Sequence, residues 1–136
     1  MLFPKKVKYK KMHLSNLKGI ATKNNTLTFG TYGFQAITSN WISSKQIEVI
    51  RKLLIRHIKK VGKLWIKIFP QQSITLRASE SRMGSGKGNV SHWVSIVKIG
   101  TILFEVDNLS KELVYQLFNM IKVKLPVKLK LICKNA

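Results

Sequence analysis

Three glycines fall within five positions of the segment RMGSGKGN, Arg82 to Asn89, with an arginine ahead of them and a lysine among them. Gly84, Gly86 and Gly88 let backbone N–H groups approach an anion closely, while Arg82 and Lys87 add charge. Such a segment suits a phosphate, either of a nucleotide about to react or of a nucleic-acid backbone. A nucleotide-binding P-loop needs glycine, four residues, then Gly-Lys-Ser/Thr, and it opens a helix whose N-terminus faces the phosphates. Gly86 and Lys87 supply the pair, but Ser81 replaces the first glycine and Gly88 replaces the hydroxyl. The strand-like SHWVSIVK follows instead of a helix. An enzyme built on this loop has lost its magnesium ligand and its helix together; a backbone phosphate still fits.

Other chemistry has few residues to draw on. The carboxylates are Glu48, Glu80, Glu105, Asp107 and Glu112, too few and too scattered for a metal cage or an acid–base pair. Glu105 and Asp107 alternate onto one face of a strand and are expected to form a solvated edge. His13, His57 and His92 lack metal-ligand spacing, and Cys133 is the only cysteine, so no intramolecular disulfide or cysteine-based zinc site exists. Neither a catalytic residue nor a cofactor or metal is expected.

The charge balance points outward. Against those 5 acids stand 25 lysines and arginines, a net charge of +20. A compact domain so basic repels itself unless a polyanion neutralises it, which favours nucleic acid first and an anionic membrane surface second. Residues 1–25 are expected to be a basic RNA-contacting arm. Lys5, Lys6, Lys8, Lys10 and Lys11 are interleaved there with Phe3, Tyr9 and His13, which offer stacking surface. A second basic stripe, Lys45, Lys52, Arg56 and Lys59, recurs at helical spacing and is assigned to phosphate contact.

The elements that must position these groups follow from hydrophobic period. Residues 26–136, at 45% hydrophobic content for the whole chain, have enough material for one folded α+β domain. A helix is expected from about Ser43 to Val61, capped by Ser43 and Gln46 and stopped by Gly62, burying Ile47, Ile50, Leu54, Ile58 and Val61. A second runs from about Ser110 to Lys124 and buries Leu113, Leu117, Met120 and Ile121. Strands are expected in Thr26–Ile37, Leu64–Phe69, Ile74–Ala78 and the final VKLKLIC. SHWVSIVK and TILFEV read as a hairpin turning at Ile99-Gly100. The expected fold is two helices packed on a mixed or antiparallel β-sheet, with the glycine loop at 82–89 facing RNA. No apolar run approaches the length needed to span a bilayer, and no continuous apolar segment follows the basic N-terminus as a secretory signal requires.

Six segments in order, MLFPKKVKYKKMH, FGTYGFQA, QIEVIRK, GKLWIKIFP, RMGSGKGNVSHWV and KLPVK, carry a resemblance to the bacterial-type large-subunit ribosomal protein sixteen family, nearly end to end. The resemblance implies an α+β protein that binds large-subunit rRNA. It also implies a position near the aminoacyl-site tRNA and the peptidyl-transferase region, and a role in late subunit assembly. The arm and the loop Arg82 to Gly88 would then lie against rRNA, and neighbouring large-subunit proteins would be partners. A non-ribosomal nucleic-acid-binding or assembly factor sharing this surface is the rival. The chain departs from the family pattern in ITSNWIS, which is uncharged around Trp41, in ITLRAS, which lacks a proline, and at His92. The match starts at Met1, so no import presequence is expected, and lysine outnumbers arginine 21 to 4. Together with NVSHWV, these features lead to the expectation of an organelle-encoded, mitochondrial form, with a plastid or an AT-rich bacterium as alternatives.

Overall fold

Ser43 and Gln46 cap each other at the start of helix α1, Ser44–Ile58. The Gln46 N–H donates to Ser43 Oγ at 3.3 Å and the Ser43 N–H to Gln46 Oε1 at 2.9 Å, satisfying two N–H groups that a helix start leaves unpaired. Ile47, Ile50, Leu54 and Ile58 turn into the core, each contributing about 1.5–3 kcal/mol by burial. The helix stops earlier than its apolar stripe suggested. Lys59 adopts a φ of 59° and returns its N–H to Ile55 O, so Val61 lies beyond the helix and is exposed. Gly62 is not the stop. A Cβ there would meet Ile58 Cγ2 at 2.4 Å and Leu109 Cδ2 at 2.6 Å, so this glycine serves close packing.

The structure, a computed structural model, describes residues 2–134. Met1 of the expected arm and Asn135 and Ala136 of the expected domain lie outside the described residues. Helix α2, Lys111–Lys122, is capped by Ser110 and buries Val114, Leu117 and Ile121, with Leu113 and Met120 at the margin of the core. The strands are β1 (Tyr32–Ala36), β2 (Asn40–Ser43), β3 (Lys63–Ile66), β4 (Gln72–Leu76), β5 (Asn89–Val97), β6 (Ile102–Asp107) and β7 (Leu129–Cys133). They form two antiparallel sheets, ordered β3-β6-β1-β7 and β2-β5-β4. The α+β class is as expected, with the strands sorted into two sheets. Both sheets and both helices meet in one core that includes Phe34, Ile42, Val97, Phe104 and Leu117. The uncharged ITSNWIS segment supplies β2, an element that its composition did not announce.

The hairpin expected at Ile99-Gly100 does not form. Strand β5 lies between β2 and β4, and β6 lies between β3 and β1, so neither has an edge left for the other. The chain instead crosses between sheets. Gly100, at φ 95°, donates its N–H to Ala36 O, and Ile99 O accepts from Ala21 N–H. The connection that does join neighbouring antiparallel strands is the glycine loop, residues 77–88, between β4 and β5.

Strand β6 is buried on both faces. Phe104 and Val106 face the helices, while the other face is covered by the segment before β1. Leu27 sits where a Gly33 side chain would be, since a Cβ on Gly33 would meet Leu27 Cδ2 at 2.5 Å. Glu105 is fully buried beneath this cover, not on a solvated edge as its spacing suggested. Its carboxylate accepts N–H bonds from Thr28 at 2.9 Å, Phe29 at 2.7 Å and Gly30 at 3.0 Å. Residues 28–30 therefore fold around an acid and do not extend as a strand; β1 starts only at Tyr32.

Candidate nucleic-acid interface

The glycine loop hangs from β4 and β5 at the open end of the three-stranded sheet. Residues 81–87 are all exposed, Arg82 and Lys87 among them. Gly84 and Gly86 have φ values of 85° and 90°, a region that side-chain-bearing residues disfavour by about 1–2 kcal/mol. Gly88 answers a different need: a Cβ there would lie 2.5 Å from Leu76 O, where β4 and β5 close together. Inside the loop, Ser85 Oγ donates to Arg82 O at 2.8 Å and Arg77 Nε donates to Gly86 O at 2.9 Å. Arg77 thus shares the loop with Arg82 and Lys87, a cation that the glycine motif alone did not single out.

The arm is tied to this loop. Lys87 Nζ donates to Met12 O, and Lys11 Nζ donates back to Lys87 O at 3.1 Å. Further along β4, Ser73 Oγ donates to Lys10 O, and Gln72 Nε2 donates to His13 O at 3.2 Å. Gln72 Oε1 in turn accepts from Ser15 Oγ at 3.2 Å. Gln72 and Ser73 are buried, so these clips hold a segment of otherwise irregular backbone against the strand. Their part was illegible in the sequence, where Gln72 and Ser73 read only as polar residues after a proline. Lys87 correspondingly points to the arm's backbone, although the residue as a whole is exposed.

The structure therefore brings Lys10, Lys11, Arg77, Arg82 and Lys87 into one region in which positive charge outnumbers the single carboxylate, Glu80. Lys5, Lys6, Lys8, Lys10 and Lys11 are all exposed, and Lys8 Nζ lies 5.6 Å from the Tyr9 ring centroid. Lys45, Lys52, Arg56 and Lys59 are exposed on or just past α1, whose packing partners are β2, β3, β5 and α2. No hydrogen bond among the described residues connects that stripe with the loop and arm. The ion pair on α1 involves Arg51, whose guanidinium meets Glu48 at 2.9 Å and holds that carboxyl below its usual pKa. No residue of the stripe forms an ion pair among the described residues, although Lys52 adds to the lowering of the Glu48 pKa.

Two carboxylates flank the body, not this surface. Burial pushes the Glu105 pKa upward, but the three backbone N–H bonds and the nearby Lys67 outweigh it and leave the carboxyl below its usual range. Asp107 is also lowered, first by the Thr31 hydroxyl and then by the Asn108 N–H. Among the described residues, no three metal-ligating side chains gather, and no helix is long and apolar enough to cross a membrane. Glu105 and Asp107 are thus fixed and ionised on the four-stranded sheet, while Glu80 is the one carboxylate within the glycine loop, exposed beside Arg77, Arg82 and Lys87.

Comparison with known proteins gives this surface a context. A family model described as ribosomal protein L16p/L10e matches residues 4–132. The large ribosomal subunit protein uL16c of Cyanidium caldarium is 52% identical over 135 residues, covering 99% of this chain and 96% of that protein. The protein of the same name from Emiliania huxleyi is 48% identical over 136 residues, covering 100% and 99%. That of Porphyra purpurea is 44% identical over 135 residues, covering 99% and 97%.

Proposed function

The chain belongs to the L16p/L10e family of ribosomal proteins, and from that premise we propose that its arm and glycine loop bind large-subunit rRNA as one surface. It is a structural constituent of the large ribosomal subunit and not an enzyme, with rRNA and other large-subunit proteins as its partners. The observation that carries the surface is the reciprocal tie between Lys11, Met12 and Lys87, which makes arm and loop neighbours although some 75 residues separate them in the chain. Residues 1–25 act as the arm and residues 26–136 as the body that presents it.

On this surface, lysine ammonium groups and Arg82 replace counterions along the rRNA backbone. Gly84 and Gly86 allow the loop's backbone N–H groups to approach a phosphate that side chains would keep at a distance. Lys5, Lys6, Lys8, Lys10, Lys11, Arg82, Lys87 and the three glycines form the main contact. Lys45, Lys52, Arg56 and Lys59 on α1 would meet a separate stretch of rRNA. The exposed tip around Arg82 is the part that would face tRNA in the aminoacyl site and help organise that site during late assembly.

The compartment we infer is the plastid. Relatives at 44–52% identity carry the chloroplast form's name, uL16c, which favours a plastid ribosome over the mitochondrial one expected from NVSHWV. That motif opens strand β5, where Asn89, Ser91 and His92 are exposed and their identity is not dictated by the core.

Sedimentation tests the whole proposal. Isolated large subunits washed in high salt should retain the protein in stoichiometric amount, and Arg82→Ala should lower subunit maturation or tRNA accommodation. Complete release of the wild-type protein by the wash would refute the rRNA assignment. Normal maturation and normal tRNA binding with Arg82→Ala would show the loop to be passive.

A further inference from the structure

A second aromatic and basic cluster lies on the other sheet, away from the glycine loop. Strand β3 is an edge of the four-stranded sheet, with Leu64 and Ile66 against the core. Alternation therefore puts Lys63, Trp65 and Lys67 on the outer face. There the Phe29 ring stacks on Trp65, with centroids 5.8 Å apart and planes inclined by 20°. Lys67 Nζ lies 4.7 Å from the Phe29 centroid. Even so engaged, Phe29 remains 56% exposed.

We propose that Phe29, Trp65 and Lys67 form a stacking platform for an unpaired base of the bound RNA. The proposal rests on the rRNA-binding assignment and adds to it a site for a base, where the arm and loop hold phosphates.

Three features favour this use over a simple hydrophobic cover. First, Phe29 is held in place by its backbone. The Thr28, Phe29 and Gly30 N–H groups are all bonded to the buried Glu105, and a Cβ on Gly30 would lie 2.7 Å from Val106 O. A ring displayed on a fixed backbone loses little freedom when it binds, which is the benefit of preorganisation. Second, the charges match. Lys67 flanks the rings, whereas Glu105 is buried by loop amides and Asp107 accepts the Thr31 hydroxyl. Third, the chemistry of the partner is common to every nucleotide: a flat π-face to stack on the aromatic pair, and a phosphate within reach of an ammonium. A stacking site of this kind reads no particular base.

The test uses the full chain with two probes of similar charge, a short single-stranded oligoadenylate and an inorganic polyphosphate. Phe29→Leu keeps an apolar cover but removes the ring face, and Phe29→Tyr keeps the face. Loss of one stacked base should weaken oligoadenylate binding by Phe29→Leu about 5- to 150-fold, with the slope of affinity against salt unchanged. Phe29→Tyr should bind like the parent, and polyphosphate binding should be the same for all three. Lys67→Gln should instead lower the salt slope by about 0.7 for the one phosphate contact removed. Equal oligoadenylate affinity of Phe29→Leu and the parent would overturn the platform and leave the rRNA assignment standing. Equal weakening toward both probes would also overturn it, because only the fold or the charge would then have changed. If the parent protein binds neither probe, the rRNA assignment fails and the platform falls with it.

Discussion

Replacing Glu105 with glutamine removes one charge from a fully buried group and almost nothing from its shape. Oε2 accepts the Phe29 and Gly30 N–H groups and Oε1 accepts that of Thr28. A glutamine can place its single oxygen at the Oε2 position and keep two of these bonds in weaker, neutral form. Its NH₂ then confronts the Thr28 N–H, donor against donor. Losing one charge-assisted bond, weakening two and stranding a donor costs about 2–4 kcal/mol. With a urea m-value of about 2 kcal/mol per molar, the unfolding midpoint should fall by about 1–2 M. The pH dependence gives an independent measure. The Glu105 pKa is depressed in the folded chain, so its stabilisation is complete above the unfolded glutamate value of about 4.3. It is lost as pH falls through the lower folded value. Between pH 7 and 3, stability should therefore drop less in Glu105→Gln than in the parent, and amide exchange at residues 28–30 should rise sharply in the variant at neutral pH. A midpoint unchanged within error, or the same acid-induced loss in both proteins, would refute the assignment of Glu105 as the anchor of this segment.

Gly88→Ala places a Cβ against the Leu76 carbonyl and should cost about 1–3 kcal/mol in thermal unfolding, whereas Gly84→Ala meets open space and pays only for its φ of 85°, about 1–2 kcal/mol. Leu54→Ala in the centre of α1 should cost about 2–5 kcal/mol by denaturant titration, since Leu54 is fully buried. Lys5→Ala should lower the log–log salt slope of rRNA binding by about 0.7–0.9 without changing stability, measured by filter binding across a salt series. Lys87→Met should do more than that. By releasing Met12 O as well as a charge, it should increase proteolytic cleavage in the arm of the free protein.

Periodicity exposed what depends on near neighbours. Ile47, Ile50, Leu54 and Ile58 fall on one side of a helix because 3.6 residues make a turn, and Ser43 with Gln46 marks its start for equally local reasons. The same logic overshot at the helix end. Lys59 takes a positive φ, and Gly62 just beyond it packs closely against Leu109, a contact with no signature in the residues before it. Strand positions were visible in SHWVSIVK and TILFEV, but pairing was not, because alternation says which face a residue takes and nothing about its neighbour strand. The candidate site divides in the same way. Arg82, Gly84, Gly86, Lys87, Gly88 and the lysines of the arm are recognisable by type and spacing. Arg77, Gln72 and Ser73 are not, since they matter through what they touch.

The sequence by itself determined that this chain is an α+β, strongly basic member of a ribosomal protein family, with a glycine loop unfit for nucleotide hydrolysis. Charge, motif order and the missing P-loop residues are properties of composition and local order, and folding does not alter them. Only the tertiary structure decided where the few acids go. It buries Glu105 under three N–H groups, fixes Phe29 over Trp65, and ties Lys11 and Lys87 across the gap between arm and loop. These are contacts between residues far apart in the chain, and chain distance carries no record of them until the sheets assemble.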